Sequence, residues 1–323
     1  MLASAAALTA LVVGSGVGAA ATHTTVPGTA AARVMAQAES PTGYLSGLKV
    51  GKGTDSPCDF FRVELTTGEL TQINPDASPV PCYGGLTFSA DGTLYAFVEQ
   101  PVAGVAASAL VTIDLSTGTP TTVGALPQII SGGMTFDADG NLWLYASAPN
   151  DAKCGGGPLK ACLWEVDPAT AKTTFAGSTP DRAIGGLVAV CTRVLALDGP
   201  VGTGSPSKTV LSSVDTNTAE LTAVVPTPQI FAATGLDLGE DGRLWAVGSG
   251  GLSVTDASSG GVGQPRVFEI DPEKGVVASA GTTIGGGPYP GFLTGLAVDP
   301  AHCEAADSPD ATPFVITAPN FTG

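Results

Sequence analysis

Five glycines, Gly85, Gly133, Gly186, Gly235 and Gly295, stand 48, 53, 49 and 60 residues apart, and each opens a similar segment. Gly-Gly-Leu-Thr-Phe-Ser-Ala-Asp-Gly-Thr-Leu-Tyr begins at Gly84, and Gly-Gly-Met-Thr-Phe-Asp-Ala-Asp-Gly-Asn-Leu-Trp at Gly132. Thr-Gly-Leu-Asp-Leu-Gly-Glu-Asp-Gly-Arg-Leu-Trp begins at Thr234, and shorter relatives begin at Gly185 and Thr294. A second motif alternates with the first. Leu-Val-Thr-Ile-Asp-Leu-Ser-Thr-Gly, ending at Gly118, has relatives ending at Gly68, Ala171, Ala219 and Gly275. Their shared acidic position is Glu64, Asp114, Asp167, Asp215 and Asp271.

Each motif reads as two short strands joined by a turn, because its apolar, β-branched or aromatic runs are bounded by Gly, Pro and Asp. In the second motif the Asp side chain can accept from turn amides, and the closing Gly accepts positive φ. A unit of about 50 residues with four strands is the pattern of a β-propeller blade. One blade cannot bury both of its faces, whereas a closed ring of blades does. Five copies of each motif predict an all-β, five-bladed β-propeller. The chain enters on a second motif and ends on a first, so the N- and C-terminal segments must share one blade. Tyr44 stands before Glu64 much as Tyr95 stands before Asp114, which assigns the second strand of that blade to residues 43–50. The run Pro-Phe-Val-Ile-Thr at 313–317 is the alternative. A single propeller domain over 43–318 follows, with a short tail at 319–323.

Asp137, Asp139 and Asn141 resemble the opening of a calcium loop, but the position that should supply a bidentate Glu is Ala148. The equivalents Asp91-Gly92 and Asp241-Gly242 make the segment a hairpin turn. Letting the strands of a blade run a, b, c, d outward, the b–c and d–a loops share one rim and the a–b and c–d turns the other. Six cysteines fall on this scheme. Cys58 with Cys82, and Cys154 with Cys162, share the first rim, and Cys191 and Cys303 remain to pair near a–b turns. No Cys-x-x-Cys spacing suggests a metal knuckle or a redox pair.

Residues 1–21 read as an export signal: an uncharged, mostly apolar run ends at the small triplet Ala19-Ala20-Ala21. Residues 22–42 would follow it as a flexible segment. Disulfides then suit a secreted protein with no membrane attachment after cleavage. With 43% hydrophobic and 13% charged residues the chain is too apolar for disorder. A net charge of −16 argues against nucleic acid as a partner.

The pattern Gly-Leu-x-Phe-x-x-Asp-Gly-x-Leu-Trp/Tyr with Ile-Asp-x-x-Thr-Gly, over residues 44–300, resembles secreted bacterial propellers of the NHL, YVTN and SMP-30/gluconolactonase-like repeat group. Enzymes similar to that group hold a divalent cation at the central channel with Glu, Asp, Asn or His. Here the innermost strands open without carboxylates, and Asp237 is the exception. Histidine is scarce, with His23 beside the signal and His302 near the C-terminus. No Gly-x-Ser-x-Gly elbow precedes a helix, and the glycine-rich stretches at 155–157, 248–251 and 285–287 lack the Lys of a phosphate loop. No catalytic residue, metal or cofactor is expected.

What remains is the rim of d–a and b–c loops. It offers Tyr83, Gln128, Arg182, Gln229, Phe231, Tyr289 and Phe292 as candidate binding residues, with Arg182 as an anchor for a carboxylate. The expected function is a monomeric, non-catalytic propeller that binds a protein, peptide or glycan there. The resemblance supplies the alternative, a metal-dependent lactone or ester hydrolase.

Overall fold

The computed structural model describes residues 40–49, 58–73, 81–102, 105–129, 131–148, 151–154, 160–190, 193–200, 209–227, 230–239, 242–250 and 264–298. All belong to one compact unit that starts at Ser40. The expected signal segment, residues 313–317, Cys191 and Cys303 lie outside the described residues.

The chain opens with β1 (Thr42–Lys49), β2 (Cys58–Glu64) and β3 (Leu70–Gln72). Blade 1 is β4 (Tyr83–Phe88), β5 (Leu94–Val102), β6 (Val105–Ile113) and β7 (Pro120–Leu126). Blade 2 is β8 (Ser131–Phe136), β9 (Leu142–Ser147), β10 (Lys160–Val166) and β11 (Thr173–Pro180). Blade 3 is β12 (Arg182–Val190), β13 (Arg193–Pro200), β14 (Val210–Val214) and β15 (Leu221–Pro226). Blade 4 is β16 (Ile230–Leu238), β17 (Leu244–Gly250), β18 (Pro265–Asp271) and β19 (Gly275–Gly281). A small ribbon, β20 (Thr283–Ile284) and β21 (Gly287–Pro288), precedes β22 (Gly291–Val298).

These form five antiparallel four-stranded sheets in a five-bladed propeller. The fifth sheet has the order β22-β1-β2-β3, so the last described strand is innermost and the first is its neighbour. Strand b of the shared blade is therefore Thr42–Lys49, paired with β2 from Thr42↔Glu64 to Leu48↔Cys58. No helix occurs among the described residues.

Blade faces explain the apolar runs. A strand covered on both sides by neighbouring blades reads as continuously hydrophobic, as parallel sheets do. Every residue of β9 (Leu-Trp-Leu-Tyr-Ala-Ser) is buried, whereas the outermost strand β11 is nowhere fully buried. Five apolar clusters among the described residues occupy the five interfaces between adjacent blades. One joins the shared blade to blade 1 through Phe60, Ala297, Tyr83 and Leu86.

The repeating glycines close the ring. A Cβ on Gly133 would lie 2.3 Å from the Leu187 nitrogen, on Gly186 2.7 Å from that of Leu236, and on Gly235 2.4 Å from that of Leu296. Each inner strand thus passes over its neighbour where no side chain intervenes. The waist formed by these glycines with Leu86, Met134, Leu187, Leu236 and Leu296 has no room for a water molecule.

Turn chemistry is local. Asp114, Asp167, Asp215 and Asp271 each accept a backbone N–H from two residues on, through Oδ1. The turn-closing residue has positive φ in Gly68, Gly118 and Gly275, and also in Ala171 (59°) and Ala219 (63°). Sequence reasoning reserved that conformation for glycine. Its cost for alanine is about 1–2 kcal/mol. The alanines meet a compensating absence in the preceding blade, since a Cβ on Gly124 would lie 3.0 Å from the Ala171 Cβ and one on Gly177 3.1 Å from the Ala219 Cβ.

Asp137 is likewise a turn residue. Its Oδ1 accepts from the Asp139 and Asn141 amides, and its Oδ2 accepts from Asn141 Nδ2 and Trp143 Nε1, all at 2.8–3.0 Å.

Two disulfides form as expected, Cys58–Cys82 and Cys154–Cys162. The first ties the start of β2, in the shared blade, to the segment entering blade 1. With a separation of 24 residues against 8 for the other, it restricts the unfolded chain more. Cys82→Ser should cost about 3–4 kcal/mol and Cys162→Ser about 2–3 kcal/mol in denaturant titrations. Equal losses would mean that loop length does not govern these cross-links.

Candidate functional site

Arg182 opens β12 at the d–a corner between blades 2 and 3. Register carries a polar line from it into the sheet. Ile184 pairs with Asp198 and Asp198 with Val210, so Arg182, Asp198 and Ser212 are diagonal neighbours on one face. That face of β13 otherwise presents Val194 and Ala196 to blade 2. The Asp198 side chain is fully buried and Arg182 is 31% exposed, with Nε 3.1 Å from Asp198 Oδ2. Ser212 Oγ donates to Asp198 Oδ1 at 2.5 Å. Burial pushes the Asp198 carboxyl above the usual carboxylate range, opposed by the Ser212 hydroxyl and Arg182.

Blade 2 completes the cluster. The Tyr145 hydroxyl donates to the Ala219 carbonyl at 2.8 Å and lies 2.6 Å from Thr179 Oγ1, which also bonds that carbonyl. Desolvation pushes the Tyr145 phenol up to about 12. A buried carboxylate thus lies against the Nε edge of a rim guanidinium as an ion pair, its Oδ2 accepting no hydrogen bond, and a charge placed this way is suited to a planar anion.

The other rim candidates fall differently. Tyr83 is fully buried, edge-on to Phe60 at 5.7 Å, and donates to the Gly118 carbonyl at 2.7 Å. Tyr289 is 2% exposed and packs edge-on to Phe61 at 5.3 Å. Burial raises both phenols above their ordinary value. Both are interblade core, because their rings fill the wedge between inner strands, and they leave no surface for a ligand. Gln128 and Phe292 are half-buried. Gln229 and the side chain of Phe231 lie outside the described residues. Among the described residues Arg182 forms its ion pair with Asp198, not with Asp181, and sequence reasoning passed Asp198 over. Its signal was a charge interrupting the inward pattern Val194, Ala196.

The opposite mouth of the channel is a second polar place. Beyond the closed waist lies a cavity of about 60 Å³ lined by Thr87, Phe88, Thr135, Phe136, Ala189, Asp237, Leu238 and Val298. Asp237 Oδ1 accepts from the Leu238 amide and Oδ2 from that of Val298, each at 2.8 Å, and the second bond stitches blade 4 to the shared blade. Thr135 Oγ1 accepts from the Ala189 amide at 2.9 Å in the same way. Desolvation pushes the Asp237 carboxyl up to about 7 against these two amides.

A divalent cation of the lactonase type needs several oxygen ligands. Among the described residues no group of three or more His, Cys, Asp or Glu side chains converges, so these residues do not fit such a site.

No protein-family model matches the sequence, and no curated protein matches it. Similar solved structures include TolB from Acinetobacter baumannii, at 14% identity over 76% of this chain and 52% of that one, with a TM-score of 0.43. The chain thus spans about half of TolB. Others are an α-L-arabinofuranosidase from Clostridium thermocellum (12%, 75% and 91%, 0.49) and a periplasmic gluconolactonase from Pseudomonas aeruginosa (13%, 78% and 99%, 0.38). At these values the likeness carries no assignment of activity, and the five-bladed propeller stands on its own sheets.

Proposed function

We propose that this is a propeller working outside the cytoplasm that binds a carboxylate-bearing partner, a peptide or an acidic glycan, at the d–a/b–c rim. The observation that carries the reading is the Arg182–Asp198 pair, a one-third-exposed guanidinium held at the rim by a fully buried carboxylate. Isolated surface cations are mobile, whereas this one is positioned before a ligand arrives, which lowers the ordering cost of binding. Two disulfides support an oxidising compartment.

The double variant Arg182→Gln/Asp198→Asn removes both charges without stranding either. It should keep the fold and lose at least about tenfold in affinity for an acidic peptide or uronate-glycan array, one charge-assisted hydrogen bond contributing about 1.5–3 kcal/mol. Binding unchanged by the double variant would remove the rim site.

A second reading, a metal-dependent lactone or ester hydrolase, draws on Asp237, whose near-neutral carboxyl at a channel mouth matches a general acid–base group. The small cavity and the two amides already engaging that carboxyl weigh against it. Metal analysis with a lactone and ester hydrolysis screen separates the readings. Stoichiometric metal whose chelation abolishes turnover would favour the hydrolase and displace the first reading.

A further inference from the structure

The Asp237 mouth is independent of the rim and carries chemistry that the rim reading does not use. Three blades contribute to it at the same place, two residues past the repeating glycine: Thr87, Thr135 and Asp237. We infer that this mouth binds one hard monovalent cation of the sodium class, held by the Asp237 carboxylate and the hydroxyls of Thr87 and Thr135 and completed by water.

Charge is the first argument. Asp237 is half-buried at the mouth, its two printed bonds come from neutral amides, and none of the described residues lining the mouth is basic, so none of them balances its charge. Both Asp237 oxygens accept one amide on the strand side and each keeps a second lone pair. A monovalent ion neutralises one carboxylate, whereas a divalent ion would leave a net positive charge at the mouth.

Thr87 is the second argument. It is 4% exposed, lines the cavity, and its hydroxyl meets no hydrogen-bonding group among the described residues. That hydroxyl is open to the cavity rather than enclosed by protein, so its lone pairs are free to meet an ion or water there. Size is the third. A cavity of about 60 Å³ has room for an ion with a few waters and is too small for a sugar or a peptide.

The test compares thermal melting of the chain in sodium chloride and in choline chloride at equal ionic strength and pH 8. Sodium should raise the melting temperature saturably by about 2–4 °C over choline. Asp237→Asn should abolish the difference. Thr87→Val, which removes a hydroxyl without a partner and keeps its shape, should fold normally and shrink the difference. If Asp237→Asn does not fold, Thr87→Val decides alone. Equal melting in the two salts, or a Thr87→Val response identical to the parent, would mean that the cavity holds water only and would overturn the inference. Neither result bears on Arg182.

Discussion

Gly235→Ala should destabilise the propeller by more than about 4 kcal/mol, a loss reserved for substitutions that the core cannot absorb. The new Cβ would sit 2.4 Å from the Leu296 nitrogen and 2.6 Å from the Gly295 carbonyl carbon. Both are backbone atoms of the inner strand of the shared blade, so no side-chain rotation relieves the clash. The ring must open between blade 4 and the blade that locks it. Gly140→Ala is the control. Gly140 has φ of 83° and nothing within 4 Å of its would-be Cβ, so only conformational strain of about 1–2 kcal/mol applies. Urea titration of both variants measures the contrast. Similar midpoints would show that backbone approach at the waist is not what demands glycine there.

The second large effect lies at Arg182. Arg182→Ala leaves Asp198 fully buried opposite nothing but Ser212, and breaking such a pair from one side costs about 3–5 kcal/mol. Solvent reaching the rim through the vacated space moves the value toward the lower end. The sign with pH follows from the direction of the shift. Burial already raises the folded-state carboxyl of Asp198, and losing Arg182 removes one of the two groups that lower it. A carboxyl raised in the folded state is most costly at high pH, where it must be charged. It becomes harmless as pH falls through its folded value toward the unfolded one. The deficit of Arg182→Ala should therefore be largest near pH 8 and shrink on acidification. Adding Asp198→Asn should restore most of the stability and flatten the pH dependence. A deficit that stays constant across pH, or a double variant no better than the single, would show that the buried charge is not the cause.

How much of this was legible beforehand depends on the range over which each feature is decided. Asp114 and Asp137 bond amides within four residues, so their turns were readable from the chain. The partners Cys58–Cys82 and Cys154–Cys162 followed from strand parity, because each pair spans few strands. Tyr83 and Tyr289 looked like rim aromatics, since nothing local distinguishes a ring at a loop from one wedged between blades. Asp198 drew no notice in the sequence, although two diagonal steps of register set it against Arg182 and Ser212. Asp237 read as solitary until three blades brought Thr87 and Thr135 to the same mouth.

By itself the sequence determined the hairpins, their period, their number and the need for the chain ends to share a sheet, because turn chemistry and strand patterning act between near neighbours. Only the tertiary structure decided that Thr42–Lys49 lies beside Gly291–Val298, that Arg182 faces Asp198, and that the methyl of Ala171 packs against Gly124. Those outcomes depend on which distant surfaces meet when the ring closes, and closure is set by packing over the whole chain.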